Sequence, residues 1–595
     1  MKLSDYVAAF LARQGIGHVF AITGGASIHL IHSIGRTPGI TYICPQHEQA
    51  GAMAADAYAR ITGGLGAAVT TSGPGATNLI TGVCGAYFDS VPTVFITGQV
   101  SSFRLKGTSG VRQMGFQETD VVSMFRPVTK YAVLLEDPRR VRYELEKACH
   151  LARAGRPGPV VVDIPDDFQR LEIEPDKLES FMPPAEPPPG AQLASAVDRI
   201  AALLERARRP VLILGWGVRL AGAAKEMRAL VEKLGVPVAP TWAALDLFPS
   251  THPQLVGPFG THGTRYGNYA VQNADLIISV GARLGVRAVG SLDTFAREAR
   301  LVMVDIDAAE LGKFERGGRK PELTVQADAR AFAAAMDARF KARPATDISD
   351  WVARIAAWKK KYPTCPESYR REREINPYVF VKTLARECAP GETIVTDTGC
   401  SVAWMSQAFE FKEGQRYIHD FNNTAMGYAL PAAIGASLAL GNKPVVCVTG
   451  DGSLQMNIQE LATVLRHNLP IRIFLVDNRG YTMIQQTQDQ WMNSQYDAST
   501  VESGLAFPDF AQVARAYGFR TLVIERNDEA EPKIREALRA DGPVFCDVRI
   551  DRHHRVVPQV KWGRAIEDGE PLLDRREFLE NMIIKPLGSS LKGEA

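Results

Sequence analysis

Residues 449–478, TGDGSLQMNIQELATVLRHNLPIRIFLVDN, restrict the fold of this chain more tightly than any other stretch. The preceding residues 444–448 (PVVCV) are a continuous apolar run, the pattern of a parallel strand buried on both faces. Gly450 and Gly452 flank Asp451, so the backbone can pass close to phosphate oxygens while a hard carboxylate faces a divalent metal. Ile458, Leu461, Ala462 and Leu465 recur at i, i+3, i+4 and i+7, which predicts one helix with its N-terminal end beside the anion. Residues 471–476 (IRIFLV) read as the returning strand, so Asn478 should emerge on the same sheet edge as Asp451. Their spacing of 27 residues suits one strand–helix–strand crossover. A lone Gly-Asp-Gly is ordinarily a turn; the aspartate, the crossover and the asparagine together are far more restrictive.

The 595 residues, 46% of them hydrophobic, suffice for three to four domains with separate cores. With 68 basic and 66 acidic residues the net charge is +2 and no basic block stands out, which argues against nucleic acid or an anionic membrane as main partner. The 8 cysteines include no C-x-x-C pair and read as reduced thiols of a cytoplasmic protein. The apolar run 6–12, preceded by Asp5 and followed by Arg13, reads as a first amphipathic helix rather than a signal peptide, and no run reaches transmembrane length.

Two seams divide the chain. Residues 182–190 (MPPAEPPPG) can continue neither helix nor central strand and predict a linker; residues 359–373 are charged and interrupted by proline. The segments are 1–182, 191–345 and 375–560, with a polar tail, 561–595, that could form an arm or lid. Strand-like runs at 18–22, 66–70 and 92–96, then at 211–214, 276–280 and 301–304, alternate with helical patterns. The fold class is α/β, with three open parallel sheets.

In the first segment, Glu48 follows the short run 40–43 and opens a helix at 50–59. Alone it reads as a solvated charge favoured by the helix dipole. Residues 71–78 (TSGPGATN) follow a second strand with glycines and small residues that let the backbone approach a flat ligand. With Gly24, Gly25 and Ala26 after the first strand, three strand ends converge on one sheet edge, where open α/β sheets bind ligands.

The sequence HEQ at 47–49, the TSGPGATN turn and the GDG to Asn478 crossover together resemble the thiamine-diphosphate-dependent enzymes. The resemblance implies a pyrimidine-binding, a central FAD-type and a diphosphate-binding domain, in that order. Glu48 matches the glutamate that promotes the imino tautomer of the aminopyrimidine, so that the cofactor loses its thiazolium proton to its own ring. Gly25 and Gln117 are expected beside it. Thr71, Ser72, Gly73, Gly399, Cys400, Ser401, Gly450, Gly452 and Ser453 match cofactor contacts, and Asp451, the Asn478 side chain and the Gly480 carbonyl match the magnesium ligands. Met426 matches the apolar wedge that bends the cofactor, although the residue alone reads equally as a core methionine. The family divides this site between subunits, which implies a homodimer at least, or a tetramer.

Within that family the chain resembles acetolactate synthase catalytic subunits over nearly its whole length, through residues 116–118 (FQE), 155–159 (GRPGP), 260–268 (GTHGTRYGN), 281–283 (GAR) and 304–307 (VDID). Each motif alone reads as a surface turn about as readily. Together they imply FAD contacts at Arg156, His262, Gly263, Arg283 and Asp307. Gln117 matches a residue near the intermediate, Phe116 the acceptor side, and Arg287 an arginine that binds the acceptor carboxylate. The expected reaction is decarboxylation of a 2-oxo acid such as pyruvate and transfer of the acetyl unit to a second carbonyl, giving 2-acetolactate or a related 2-hydroxy ketone. The departures fall on the acceptor side: 284–287 read LGVR, Asp166 replaces a lysine, and Thr487 stands where the synthases have a tryptophan. Replacing an indole by threonine predicts a wider, more polar acceptor pocket, which leaves open a keto sugar as acceptor. An FAD-dependent pyruvate oxidase and a catalytically silent regulatory homologue are the other readings.

Overall fold

The structure, a computed structural model, describes residues 1–184 and 191–592. Residues 185–190 of the expected linker and 593–595 of the tail lie outside the described residues. Three parallel sheets carry the architecture. The first has β1 (His18–Ala21), β2 (Thr41–Ile43), β3 (Gly66–Thr70), β4 (Thr93–Gln99), β5 (Tyr131–Leu134) and β6 (Val160–Pro165). The second has β7 (Pro210–Leu214), β8 (Val238–Pro240), β9 (Leu276–Val280), β10 (Arg300–Asp305) and β11 (Leu323–Gln326). The third has β12 (Thr393–Thr396), β13 (Arg416–Ile418), β14 (Val445–Gly450), β15 (Ile471–Asp477), β16 (Arg520–Ile524) and β17 (Val544–Arg549). The central strands β3, β4, β6 and β15 are buried at every residue, which is why they read as unbroken apolar or small-residue runs.

The first sheet runs β2-β1-β3-β4-β6-β5 and the third β13-β12-β14-β15-β17-β16, the same order strand for strand. The second runs β11-β10-β9-β7-β8. Each sheet therefore has a place where the crossovers from two adjacent strands leave in opposite directions: between β1 and β3, between β7 and β9, and between β12 and β14. The crevice beyond the carboxyl ends of such a strand pair is where open α/β sheets take ligands.

The first and third sheets are joined by equivalent helices. After β2 comes α1 (Glu48–Thr62), and after β13 comes α2 (Ala429–Ala439). Met53, Ala54 and Ala57 of α1 share one buried core with Ala432, Ala433 and Ala436 of α2. The approach is close enough that a Cβ on Gly435 would sit 2.0 Å from the Ala54 carbonyl oxygen, so only glycine fits there. Beside this contact the buried Arg60 guanidinium pairs with Asp56 at 2.7 Å and Asp89 at 2.8 Å, and Tyr428 Oη donates to Asp56 at 2.5 Å. A buried guanidinium without any carboxylate partner would cost several kcal/mol, which this cluster avoids.

Two segments differ from the sequence reading. A helix, Ser349–Lys361, runs into the stretch expected as a seam and buries Trp351, Ile355 and Trp358 against the second sheet's core. The tail is a packed strap rather than a free arm. Val560 N–H donates to the Thr261 carbonyl at 2.7 Å, Ile566 and Phe578 enter the same core, and Trp358 Nε1 donates to Asn581 Oδ1 at 2.8 Å. Its polar composition hid the few apolar residues that do the docking.

Candidate active site

At the first crevice the turn after β1 lies directly on the turn after β3. A Cβ on Gly24 would meet Thr71 Cβ at 2.5 Å, and Ala26 N–H donates to Thr71 Oγ1 at 3.2 Å, with Gly25 exposed at the bend. Glu48 opens α1 on the same edge; its Oε2 accepts from Asn78 Nδ2 at 2.9 Å, and a Cβ on Gly75 would lie 3.6 Å from its Oε1. His47 caps the helix by accepting Gln49 N–H on Nδ1 at 3.2 Å. Gln117 (φ 63°) adjoins Gly73 (φ 61°), where a Cβ would meet its carbonyl oxygen at 3.1 Å. Glu48, Gly25, Thr71, Ser72, Gly73 and Gln117 thus surround one crevice, with the Phe116 ring 85% exposed at its margin.

At the third crevice a residue missed from sequence, Asp397, does the organising. Fully buried after β12, it accepts N–H bonds from Thr398 at 2.9 Å, Gly427 at 3.2 Å and Ala429 at 2.9 Å, and the Thr449 hydroxyl at 3.3 Å. It thereby fixes the turn at Gly399 (φ 76°), the turn carrying Met426 and the end of β14. Cys400 and Ser401 begin the helix Cys400–Ala408, both buried; burial pushes the Cys400 thiol up to about 12, so it is inert as a nucleophile. A Cβ on Gly450 would lie 3.6 Å from Ser401 Oγ, and one on Gly452 would strike Tyr481 at 2.3 Å and Met426 Cε at 3.1 Å. Met426 and Tyr481 therefore close over Gly452, and Ser453 is buried behind it.

Asp451 Oδ1 accepts Gly452 N–H at 2.6 Å, and its Oδ2 accepts those of Asn478 at 3.2 Å and Gly480 at 3.1 Å. The crossover thus brings the aspartate and asparagine together as their spacing predicted. Burial, with the neighbouring Asp477 carboxylate, pushes Asp451 up to about 7, so the site favours a compensating positive charge. The Asn478 side chain, 8% exposed, has no hydrogen-bond partner among the described residues. A buried carboxylate beside an amide that no protein group engages is a donor set suited to a hard divalent cation.

The helix expected across 458–465 is present, but its N-terminal end does not reach the Asp451 turn, because a separate short helix comes first. Asp451–Met456 (α3) ends at Asn457 (φ −137°), a 3-10 turn spans Ile458–Glu460, and Leu461–Arg466 (α4) resumes. The break frees two side chains for long-range work. Asn457 Nδ2 donates to the Gly427 carbonyl at 2.8 Å, next to Met426, and Glu460 accepts Gln46 N–H at 2.8 Å, two residues before Glu48. Burial pushes Glu460 up to about 7. A local 3.6-residue period carries no sign of partners so distant in sequence.

The second crevice opens into a cavity of about 680 Å³ between all three units, with Ser90, Arg156, Trp216, Arg283, Arg287 and Asn422 among its lining. Arg156 is anchored by Asp307 at 2.9 Å, Glu310 at 3.0 Å and Ser90 Oγ at 2.8 Å, and Arg283 donates to Asn422 Oδ1 at 2.6 Å. The indole nitrogen of Trp216 is buried without a partner among the described residues. Asp307 stands behind Arg156 and caps the helix Ala308–Arg316, while His262 and Gly263 lie buried beside Trp242 and Gln407. These three stand one layer behind the cavity wall, against the lining residues Arg156 and Trp242. Burial pushes the His262 imidazole down to about 3, so it is neutral. Arg287, expected near the acceptor, also lies on this cavity wall. Thr487 sits on α5 (Thr482–Trp491), half-buried, its hydroxyl donating to the Met483 carbonyl at 3.1 Å.

Residues 1–124 match the N-terminal TPP binding domain of thiamine pyrophosphate enzymes, 197–336 their central domain and 397–548 their C-terminal TPP binding domain. The chain belongs to the thiamine pyrophosphate enzyme family. Within it, this is an enzyme akin to the acetolactate synthases. It is 37% identical over 573 residues to the acetolactate synthase large subunit of Parasynechococcus marenigrum, covering 93% of this chain and 88% of that protein. It is 34% identical over 580 residues to acetolactate synthase 2, chloroplastic, of Nicotiana tabacum (95% and 85%), and 35% over 581 residues to acetolactate synthase 1, chloroplastic, of Zea mays (95% and 88%). Among the described residues no helix is long and apolar enough to cross a membrane.

Proposed function

We propose that the chain decarboxylates pyruvate or a similar 2-oxo acid and joins the acetyl unit to a second carbonyl, yielding 2-acetolactate or a related 2-hydroxy ketone. The observation that carries this reading is the pairing of crevices: Glu48, held by Asn78, at the first, and Asp451 with the free Asn478 amide at its equivalent in the third. Thiamine diphosphate, when bound, supplies the carbon acid that stabilises the charge left by departing carbon dioxide. Glu48 keeps a proton in play at the aminopyrimidine, and Asn78 fixes its carboxylate for that purpose. Asp451, Asn478 and the Gly480 carbonyl would hold magnesium, and Gly399, Cys400, Ser401, Gly450, Gly452 and Ser453 would seat the diphosphate. Met426 is the apolar wedge, and Thr71 to Gly73, Gly25 and Gln117 border the reacting centre.

We take the complete site to form between two copies, as the family resemblance implies, in a homodimer or a tetramer of such dimers, in the cytoplasm. The domains we assign are 1–182, 191–345 and 375–560, followed by the tail 561–595. The cavity at the second crevice has a size suited to a dinucleotide, and the orphaned Trp216 nitrogen with Arg156 and Arg283 suits FAD as a structural ligand.

Thr487 favours a second reading of the acceptor. Its short side chain is turned back onto its own helix, so no aromatic wall is supplied from this position and a keto sugar has room. Labelled pyruvate, supplied alone and with candidate acceptors, tests both. Carbon dioxide release with acetolactate as product supports the first reading, and a cross-product supports the second. Anaerobic bleaching of bound flavin during turnover would instead assign an oxidase, and no turnover by the holoenzyme would leave a silent homologue.

A further inference from the structure

The loop between β4 and the helix Val121–Phe125 breaks the charge balance of the chain. Residues 101–117 contain Arg104, Lys106 and Arg112 and no acidic residue. The loop is firmly built. Ser102 donates to Asp167 through its N–H at 2.8 Å and its hydroxyl at 2.6 Å. The buried Glu118 carboxylate accepts N–H bonds from Lys106 at 2.6 Å, Met114 at 2.7 Å and Gly115 at 3.3 Å. Gln113 Nε2 donates to the Glu118 carbonyl at 3.0 Å. The nearest carboxylates are thus spent on backbone groups, and Lys106 is partly balanced by Glu118 and Asp120.

Arg104 and Arg112 are exposed, and among the described residues neither forms an ion pair; Arg104 lies over the Phe103 ring at 5.4 Å. Phe103 (72% exposed) and Met114 (58%), like the Phe116 ring, are exposed on the same loop. The loop ends on Gln117, against Gly73 of the Glu48 crevice, and folds back on itself so that a Cβ on Gly115 would meet the Arg104 carbonyl oxygen at 3.1 Å. A second 2-oxo acid presents one negative charge and needs one arginine. Two unpaired guanidinium groups suit a dianion, whose oxygens the planar Arg fork can grip in pairs.

We propose that the acceptor carries a phosphate ester, as a sugar phosphate or a nucleoside-diphosphate sugar, and that Arg104 and Arg112 bind it; this rests on the carboligase reading above. The test uses full-length holoenzyme saturated with thiamine diphosphate and magnesium, so that the cofactor's own diphosphate seat is filled. Labelled pyruvate is supplied with dihydroxyacetone or with dihydroxyacetone phosphate. In parallel, inorganic pyrophosphate and UDP are titrated calorimetrically into the holoenzyme. The expected result is a kcat/KM at least about tenfold higher for the phosphorylated ketone, the scale of one charge-assisted contact. R104Q and R112Q should each erase most of that ratio and weaken binding of the anion, while carbon dioxide release from pyruvate alone stays within twofold. Tighter binding of UDP than of pyrophosphate selects the nucleotide-linked source, and the reverse selects the sugar phosphate.

Equal use of the two ketones, or anion binding unchanged in both variants, overturns the proposal. So does loss of cosedimentation with phosphatidylglycerol vesicles in the variants without change in anion binding, which would make the loop a membrane contact. Absence of carbon dioxide release from pyruvate in the parent enzyme would overturn the carboligase reading itself, whereas the calorimetric arm would still decide whether the two arginines bind a phosphate.

Discussion

Glu48 Oε2 accepts a hydrogen bond from Asn78 Nδ2 at 2.9 Å, joining the first residue of α1 to the last residue of the TSGPGATN turn. The contact fixes the carboxylate rotamer at the crevice, where an exposed glutamate at a helix start would otherwise turn to water. Glu48→Gln keeps the shape and removes the ionisable group, so carbon dioxide release from pyruvate should fall by about 10²–10⁴. Asn78→Ala leaves the group but frees its orientation, and a smaller loss, of about tenfold, is expected. Steady-state rates with cofactor content measured alongside separate chemistry from binding: retained cofactor with lost rate is the expected pattern in both.

Asp451 has two duties, as the charge at the third crevice and as the acceptor that gathers the N–H groups of Gly452, Asn478 and Gly480. Asp451→Asn removes the charge and leaves one accepting oxygen, so either the Gly452 N–H or those of Asn478 and Gly480 lose their acceptor. Magnesium-dependent retention of thiamine diphosphate should weaken at least about tenfold, while the apoenzyme keeps its fold with a modestly lower thermal midpoint. Asn478→Ala should weaken retention with no effect on the apoenzyme, because its side chain holds nothing else among the described residues. Equilibrium dialysis at varied magnesium reads both. An apoenzyme midpoint that collapses in Asp451→Asn would show that the carboxylate is chiefly structural.

Burial lifts the Glu460 carboxyl from the ordinary 4.5 to about 7. Between those values the folded protein keeps a proton that the unfolded chain has released, so this group's contribution falls as pH rises from about 4.5 to about 7 and is flat above. Gln at this position can still accept from Gln46 N–H and cannot ionise. The thermal midpoint of Glu460→Gln, relative to the parent enzyme, should therefore be higher at pH 8 than at pH 5. Comparing variant with parent at each pH cancels Asp163 and Asp420, which burial also lifts to about 7. A relative midpoint that is the same at both pH values would mean that burial does not govern this carboxyl.

Much of this arrangement was legible because its parts are local. Doubly buried parallel strands must be apolar throughout, so β3, β9, β12 and β15 announce themselves, and a crossover has so few allowed lengths that Asp451 and Asn478 could be paired before their contact was seen. The unread parts are long-range. Asp397 follows a strand like many turn aspartates, and only the fold reveals that it fastens Gly427 and Ala429. The apolar period through Ile458, Leu461 and Leu465 begins only after the break at Asn457, so it carried no sign of the separate helix that precedes it. The motifs that carry His262 and Asp307 did not reveal their protein partners either: His262 packs beside Trp242, and Asp307 pairs with Arg156.

Thr487 offers the sharpest control over the acceptor. Its side chain is half-buried on α5 and bonded only to the backbone of its own helix, so a larger residue there needs no buried partner displaced. Losing that bond costs the helix little, since a threonine hydroxyl bonded to a carbonyl one turn back slightly destabilises it. Thr487→Trp should accordingly fold with a thermal midpoint near that of the parent. An indole adds an apolar wall of a size that rewards an extra methylene by about 1–3 kcal/mol, and it narrows a space that a polyhydroxylated acceptor needs. In competition between 2-oxobutyrate and pyruvate as acceptors, the variant should favour 2-oxobutyrate about tenfold more than the parent does, with use of any keto sugar reduced. Both ratios come from one product analysis with mixed acceptors. If the two ratios stay at parental values while the variant remains folded and active, Thr487 does not face the acceptor, and the room for a bulky substrate must come from elsewhere in the crevice.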